Sequence, residues 1–184
     1  MRRMTRAWQD LDRLVAAVEA RATHMGSQIH GVDHWRAVGA TAGELAQAAD
    51  RLPAAERPDR ELLLLFALLH DAKREDDGRD IDHGPRAALL LEELRDAALV
   101  VLDDGRAGIL AEALRDHTRG TLSDEPTIAT CWDADRLLIG RVGIVPDPRF
   151  CSTAEGRRRA THGELPDLVG PPTWHEVAAI CGVA

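Results

Sequence analysis

The ten residues Leu62-Leu63-Leu64-Leu65-Phe66-Ala67-Leu68-Leu69-His70-Asp71 decide how the chain is read. Residues 62–69 have no polar side, so a helix built from them must be surrounded by other elements rather than lie on a surface. A histidine and an aspartate close the run. Polar groups buried at the end of so apolar a segment are costly without a partner. A metal ion is the most economical partner for an imidazole and a carboxylate on one helix turn.

On the N-terminal side, Trp8, Leu11, Leu14, Val15 and Val18 follow helical spacing and predict a first helix running to about His24. Asp33 reads as the N-cap of a second helix carrying Trp35, Val38, Ala42, Leu45 and Ala49. His34 shares the phase of Val38, Thr41 and Leu45, which puts it at the core-facing start of that helix. Two prolines break the pattern over residues 51–58, and the central helix is expected from Asp59 to about Lys73.

On the C-terminal side, charged residues 74–82 read as a loop running over the His-Asp pair. Pro85 marks the first helical position of a fourth helix continued by Ala87, Leu90, Leu94, Ala98 and Val101. His83, just upstream, is in phase with Ala87. Ile109, Leu110, Ala113 and Leu114 define a fifth helix with His117 on its apolar face, ended by Gly120. Pro126 opens a sixth helix through about Ile139 with Asp135 in its middle; residues 140–148 are irregular, and 173–181 form a short closing helix.

The expected fold is an all-α bundle, a single domain over residues 1–184. His34 and His83 fall at helix starts while His70, Asp71 and His117 fall at helix ends, and antiparallel neighbours bring starts and ends together. Asp135 would complete the cluster. Imidazoles with carboxylates suit iron, manganese, cobalt, nickel or zinc better than calcium, which prefers oxygen alone. Each residue also has a plainer reading: His34 or His83 could cap a helix, His117 could bond a helix-end carbonyl, and Asp135 could pair with Arg136.

Composition supports helices over sheets, since the 45% hydrophobic content contains only two Phe and no Tyr. The net charge of −8, from 31 acidic and 23 basic residues, argues against a nucleic-acid polymer as partner. Arg157-Arg158-Arg159 reads as a solvated run. Cys131, Cys151 and Cys181 lack metal-knuckle spacing and fit a reducing compartment such as the cytoplasm, and Cys131 reads as a small core residue. No apolar stretch is long enough to span a bilayer, and residues 1–13 are charged, so neither a membrane nor a cleaved leader is expected. His24, His162 and His175 are expected at the surface.

The order His34, then His70-Asp71, then Asp135 resembles the HD superfamily of metal-dependent phosphohydrolases, over about residues 29–141. The segments from Ile29 to Trp35 and from Cys131 to Leu137 look like those of small bacterial HD-domain proteins. The resemblance implies that His34, His70, Asp71 and Asp135 share one metal. It further implies that His83 and His117 add a second, with Asp71 bridging. Two-metal members often read His-Asp-x-Gly-Lys, whereas this chain reads His70-Asp71-Ala72-Lys73-Arg74. The departure speaks against the cyclic-dinucleotide phosphodiesterase branch. His30 and Asp133 are near ligands by sequence but are expected at most to touch them.

The implied activity is hydrolysis of a small phosphorylated metabolite, plausibly a nucleotide, by metal-activated water. Lys73, Arg74 or Arg119 would neutralise the phosphate, and Asp71 or a nearby carboxylate would orient the water. Two alternatives stay open: a di-iron oxygenase of the HD type, and a ligand-binding or regulatory module with a structural metal. One or two divalent ions are expected.

Overall fold

In the computed structural model, which describes residues 6–166 and 170–184, Asp59 starts the helix that organises the molecule. Its carboxylate accepts hydrogen bonds from the backbone N–H of Glu61 and Leu62 and also binds the Arg106 guanidinium. The helix that follows, α3 (Arg60–Leu69), has every residue from Leu62 to Leu69 buried. Each Leu or Phe so buried contributes roughly 1.5–3 kcal/mol relative to exposure. The other helices wrap it: α1 (Leu11–Glu19), α2 (Val32–Ala48), α4 (His83–Asp96), α5 (Asp104–Asp116), α6 (Pro126–Leu137), α7 (Ala154–His162) and α8 (Trp174–Cys181). α3 packs on α2, α5, α6 and α8, while α4 lies along α5 and α7 along α6. No strand occurs among the described residues. The all-α single-domain expectation is met.

Several boundaries differ from the sequence reading, each for a local reason. α1 ends at Glu19 rather than near His24 because the chain turns to meet the end of α3: Thr23 N–H donates to Ala72 O at 3.1 Å. Asp33 is not the N-cap of α2; Gly31 holds that place without a side-chain bond, and Asp33 sits in the first turn paired with Arg36. α3 stops at Leu69, and residues 70–73 form a tighter turn in which Ala72 N–H donates to Leu69 O. α4 begins at His83 and stops at Asp96, where Ala98 takes a φ of 53° and Leu99 N–H closes back on Leu94 O. α6 ends at Leu137, which puts Asp135 near its C-terminus rather than in its middle.

α7 has no counterpart in the sequence reading, because its residues are mostly polar. A buried carboxylate holds it in place: Asp133 on α6 accepts from Ser152 N, Thr153 N and Thr153 Oγ1, each at 2.7 Å. A Cβ at Gly156 would stand 2.3 Å from Asp133 Oδ2, so only glycine permits this approach. The arginine run on α7 is not simply solvated, since Arg158 pairs with Glu155 and Glu164, and Arg159 with Glu44 and Glu155. Cys131, Cys151 and Cys181 are free and buried. No helix among the described residues is long and apolar enough to cross a membrane. The charged residues 1–5 lie outside the described residues.

Candidate metal centre

The helix ends converge as their order predicts. His34, in the first turn of α2, meets His70 at the C-cap of α3, with Nε2 atoms 3.3 Å apart. His34 Nε2 lies 3.2 Å from Asp135 Oδ1 and 3.7 Å from Asp71 Oδ2. On the other side of Asp71, His83 at the start of α4 meets His117 at the end of α5, with Nε2 atoms 2.9 Å apart. Asp71 Oδ1 lies 3.2 Å from His83 Nε2 and 3.8 Å from His117 Nε2. One carboxylate therefore turns each oxygen to a different histidine pair. All of these residues are buried except Asp135, which is partly so.

Gly84 makes the second pair possible. A Cβ there would stand 2.7 Å from the carbonyl oxygens of both Leu114 and Arg115, so glycine lets the start of α4 press against the end of α5. That contact sets His83 beside His117.

The protonation pattern is that of ligands. His70 Nδ1 faces Ala67 O at 3.1 Å, His117 Nδ1 faces Leu114 O at 2.8 Å, and His83 Nδ1 faces Asp80 O. A carbonyl only accepts, so each Nδ1 carries a proton and each ring turns its Nε2 inward. Nε2 atoms facing each other and a carboxylate form a set that could hold a cation, and the Arg74 guanidinium beside His83 and Asp71 brings one positive group to its edge. Nε2 atoms 2.9 and 3.3 Å apart lie close enough for each pair to serve a single ion. His34 differs, since its buried Nδ1 has no partner.

Electrostatics agrees. Burial would raise the pKa of Asp71, but His70, His117, His30 and His83 around it overrule burial and hold it well below the carboxylate range. Burial likewise opposes Arg141 and His34 at Asp135, and they prevail. Burial pushes His70 down to about 3 and lowers His34. At His117 burial also acts downward, yet Asp71 beside it carries the net shift upward. Ionised carboxylates beside largely neutral imidazoles are the forms a divalent ion binds.

The remaining predicted residues part company. Arg74 is buried in the site, with its guanidinium 3.3 Å from the His83 ring nitrogens and 3.7 Å from Asp71 Oδ1, tied also to the carbonyls of Asp76 and Gly78. Lys73 is turned away, its ammonium donating to Arg21 O at 2.8 Å. Arg119 is 64% exposed and paired with Asp116. Neither lines the cleft described next.

Two residues take larger parts than the sequence reading allowed. His30 Nδ1 lies 3.1 Å from Asp71 Oδ2, and His30, His34 and Asp71 form a third group able to hold an ion. Its signal was the His-x-x-x-His spacing with His34. Arg141, for which the sequence held no signal, lies 3.3 Å from Asp135 Oδ1 and is anchored on Ile29 O and Leu138 O. Asp133 serves α7, and His24 is half-buried near Asp77 rather than fully exposed. His162 and His175 are exposed.

The cluster opens into a cleft of about 790 Å³ that His30, Asp71, His117 and Asp135 line from below and Arg74, Arg79, Arg136 and Arg141 line with positive charge. Compared with protein-family models, curated proteins and solved structures, the chain matches none.

Proposed function

We propose that the protein is an HD-type metal-dependent phosphohydrolase acting on a small phosphate ester or anhydride. The observation that carries this reading is Asp71, which turns Oδ1 to the His83 and His117 pair and Oδ2 to the His34 and His70 pair at the floor of an arginine-lined cleft. His34, His70 and Asp135 would hold one divalent ion, His83 and His117 another, and Asp71 would touch both. Such ions supply Lewis acidity toward water and toward a phosphoryl oxygen.

The chain's own groups do the rest. Arg74 and Arg141 bring fixed positive charge to the rim of the carboxylates, and Arg79, which forms no hydrogen bond or ion pair among the described residues, is free to bind a phosphate oxygen. Asp71 and Asp135 are held ionised as acceptors. Opening of the cluster into a cleft favours a reactive over a purely structural metal.

Metal analysis of the purified protein followed by a screen of phosphorylated metabolites tests the reading. Release of inorganic phosphate that is lost on chelation supports it; no turnover of any phosphate ester by metal-replete protein overturns it. The six-ligand arrangement equally serves a di-iron oxygenase. Iron content with substrate-dependent oxygen consumption would identify that alternative.

A further inference from the structure

An apolar wall of the cleft comes from Ile139, Val142, Ile144, Val145, Pro146 and Phe150, with Arg141 rising from the same segment. Pro146 is buried, but four of these side chains stand out of the core: Val145 is 81% exposed, Ile144 52%, Phe150 47% and Val142 41%. Single exposed apolar residues are ordinary, but a contiguous set facing a polar centre marks a binding surface.

The polar groups at the cleft mouth are mostly engaged with each other. Asp77 pairs with Ser27 and His24, Asp147 with Arg149, and Arg136 donates to Phe150 O. The Arg79 guanidinium and the Thr118 hydroxyl form no hydrogen bond among the described residues. The cleft thus offers an incoming molecule a cationic end beside the cluster and an aliphatic wall, with few free groups to read the edge of a nucleobase.

We infer that the cleft selects amphiphilic phosphoryl compounds, in which a dianionic head sits at the cluster and an alkyl or aryl body lies on the wall from Ile139 to Phe150. This rests on the phosphohydrolase reading for the head and on the exposed wall for the body. A nucleotide leaves the wall unmatched and burdens its base with lost hydrogen bonds to water. An alkyl chain loses nothing by leaving water.

Calorimetric titration of the protein, with its own metal complement, against alkylphosphonates from ethyl to octyl tests the inference without requiring turnover. The expected result is a Kd falling about fourfold per added methylene over the length of the wall. Ile144→Ser with Val145→Asp flattens that dependence. Both positions are exposed, so the fold survives, as circular dichroism would verify. Leu89→Ser, at an exposed apolar residue outside the cleft, leaves the dependence intact.

A flat series in the native protein overturns the inference, as does adenosine monophosphate binding more tightly than octylphosphonate. A flat series together with a dimer that Val145→Asp converts to a monomer overturns it too, and makes the wall a subunit interface. Hydrolysis is read separately with the matching alkyl phosphates. A steep binding series without turnover sustains the amphiphile site and removes the phosphohydrolase reading. Turnover with a flat binding series does the reverse.

Discussion

His83 and His117 point their Nε2 atoms at each other across 2.9 Å while backbone carbonyls hold their Nδ1 atoms. A pair fixed that way, with Asp71 beside it, is placed to share a positive charge. The arrangement could hold a metal ion. His34 and His70 meet likewise beside Asp135 with Nε2 atoms 3.3 Å apart, although only His70 has its Nδ1 on a carbonyl, and Asp71 links the two halves.

That link makes Asp71 the most sensitive position. Asp71→Asn keeps the shape but removes the charge that faces both histidine pairs. The variant should lose at least about tenfold in affinity for each ion, in line with the effect of perturbing a metal's immediate surroundings. Metal content after dialysis measures this, with circular dichroism confirming retained helix. Full metal content in the variant would remove Asp71 from the ligand set.

His83→Ala separates the halves. Native protein saturated with metal should carry two ions per chain and the variant one, because His34, His70 and Asp135 remain. One ion per chain in both would leave the centre mononuclear and free His83 and His117 for the substrate phosphate, and two in both would remove His83 from the ligand set.

Gly84 offers the same test by a different physical route. In Gly84→Ala the added Cβ would meet two carbonyl oxygens at 2.7 Å, forcing α4 off α5. Overpacking of this kind costs about 1–3 kcal/mol. The expected outcome is a lower Tm and loss of one ion while the other stays. Unchanged stoichiometry would mean that helix contact does not set the His83–His117 spacing.

The bundle and the ligand positions were legible because they follow from periodicity. A helix apolar on every side must be central, and polar residues that keep the apolar phase at helix ends must meet. What escaped was set by tertiary contacts. Lys73 and Arg74 are adjacent in sequence, yet the turn after α3 sends one to Arg21 O and the other to His83. His30 precedes α2 and carries no helical phase; Ser27 and Trp35 fix its backbone, and its contact with Asp71 shows how the ring is aimed. α7 lacks an apolar stripe because one buried carboxylate does the docking.

That carboxylate gives a contrast with its neighbour. Asp133→Ala leaves the N–H groups of Ser152 and Thr153 without their acceptor at the start of α7. The loss should be about 1–3 kcal/mol of stability with metal content unchanged. Asp135→Ala should do the opposite, depleting metal. If Asp133→Ala strips the metal while Tm holds, the roles given to the two aspartates are wrong.

Chelation should destabilise the protein as a whole, because without a cation the acceptor clusters face one another at the core of the bundle. An ion that binds only the folded state stabilises it by about 2.7 kcal/mol at a hundredfold excess over its Kd. For a chain of this size each kcal/mol moves Tm by about 2–4 °C, so restoring metal to chelated protein should raise Tm by roughly 5–11 °C. The gain should shrink as pH falls into the mildly acidic range, since at His117 burial is outweighed by Asp71, which holds that imidazole's pKa up, and the bound ion must displace its proton. His70, His34, Asp71 and Asp135 take up protons only at lower pH. Calorimetric scans with and without added metal, at neutral and mildly acidic pH, measure both effects. A Tm indifferent to chelation at either pH would mean that the clustered histidines and aspartates are satisfied by protons alone.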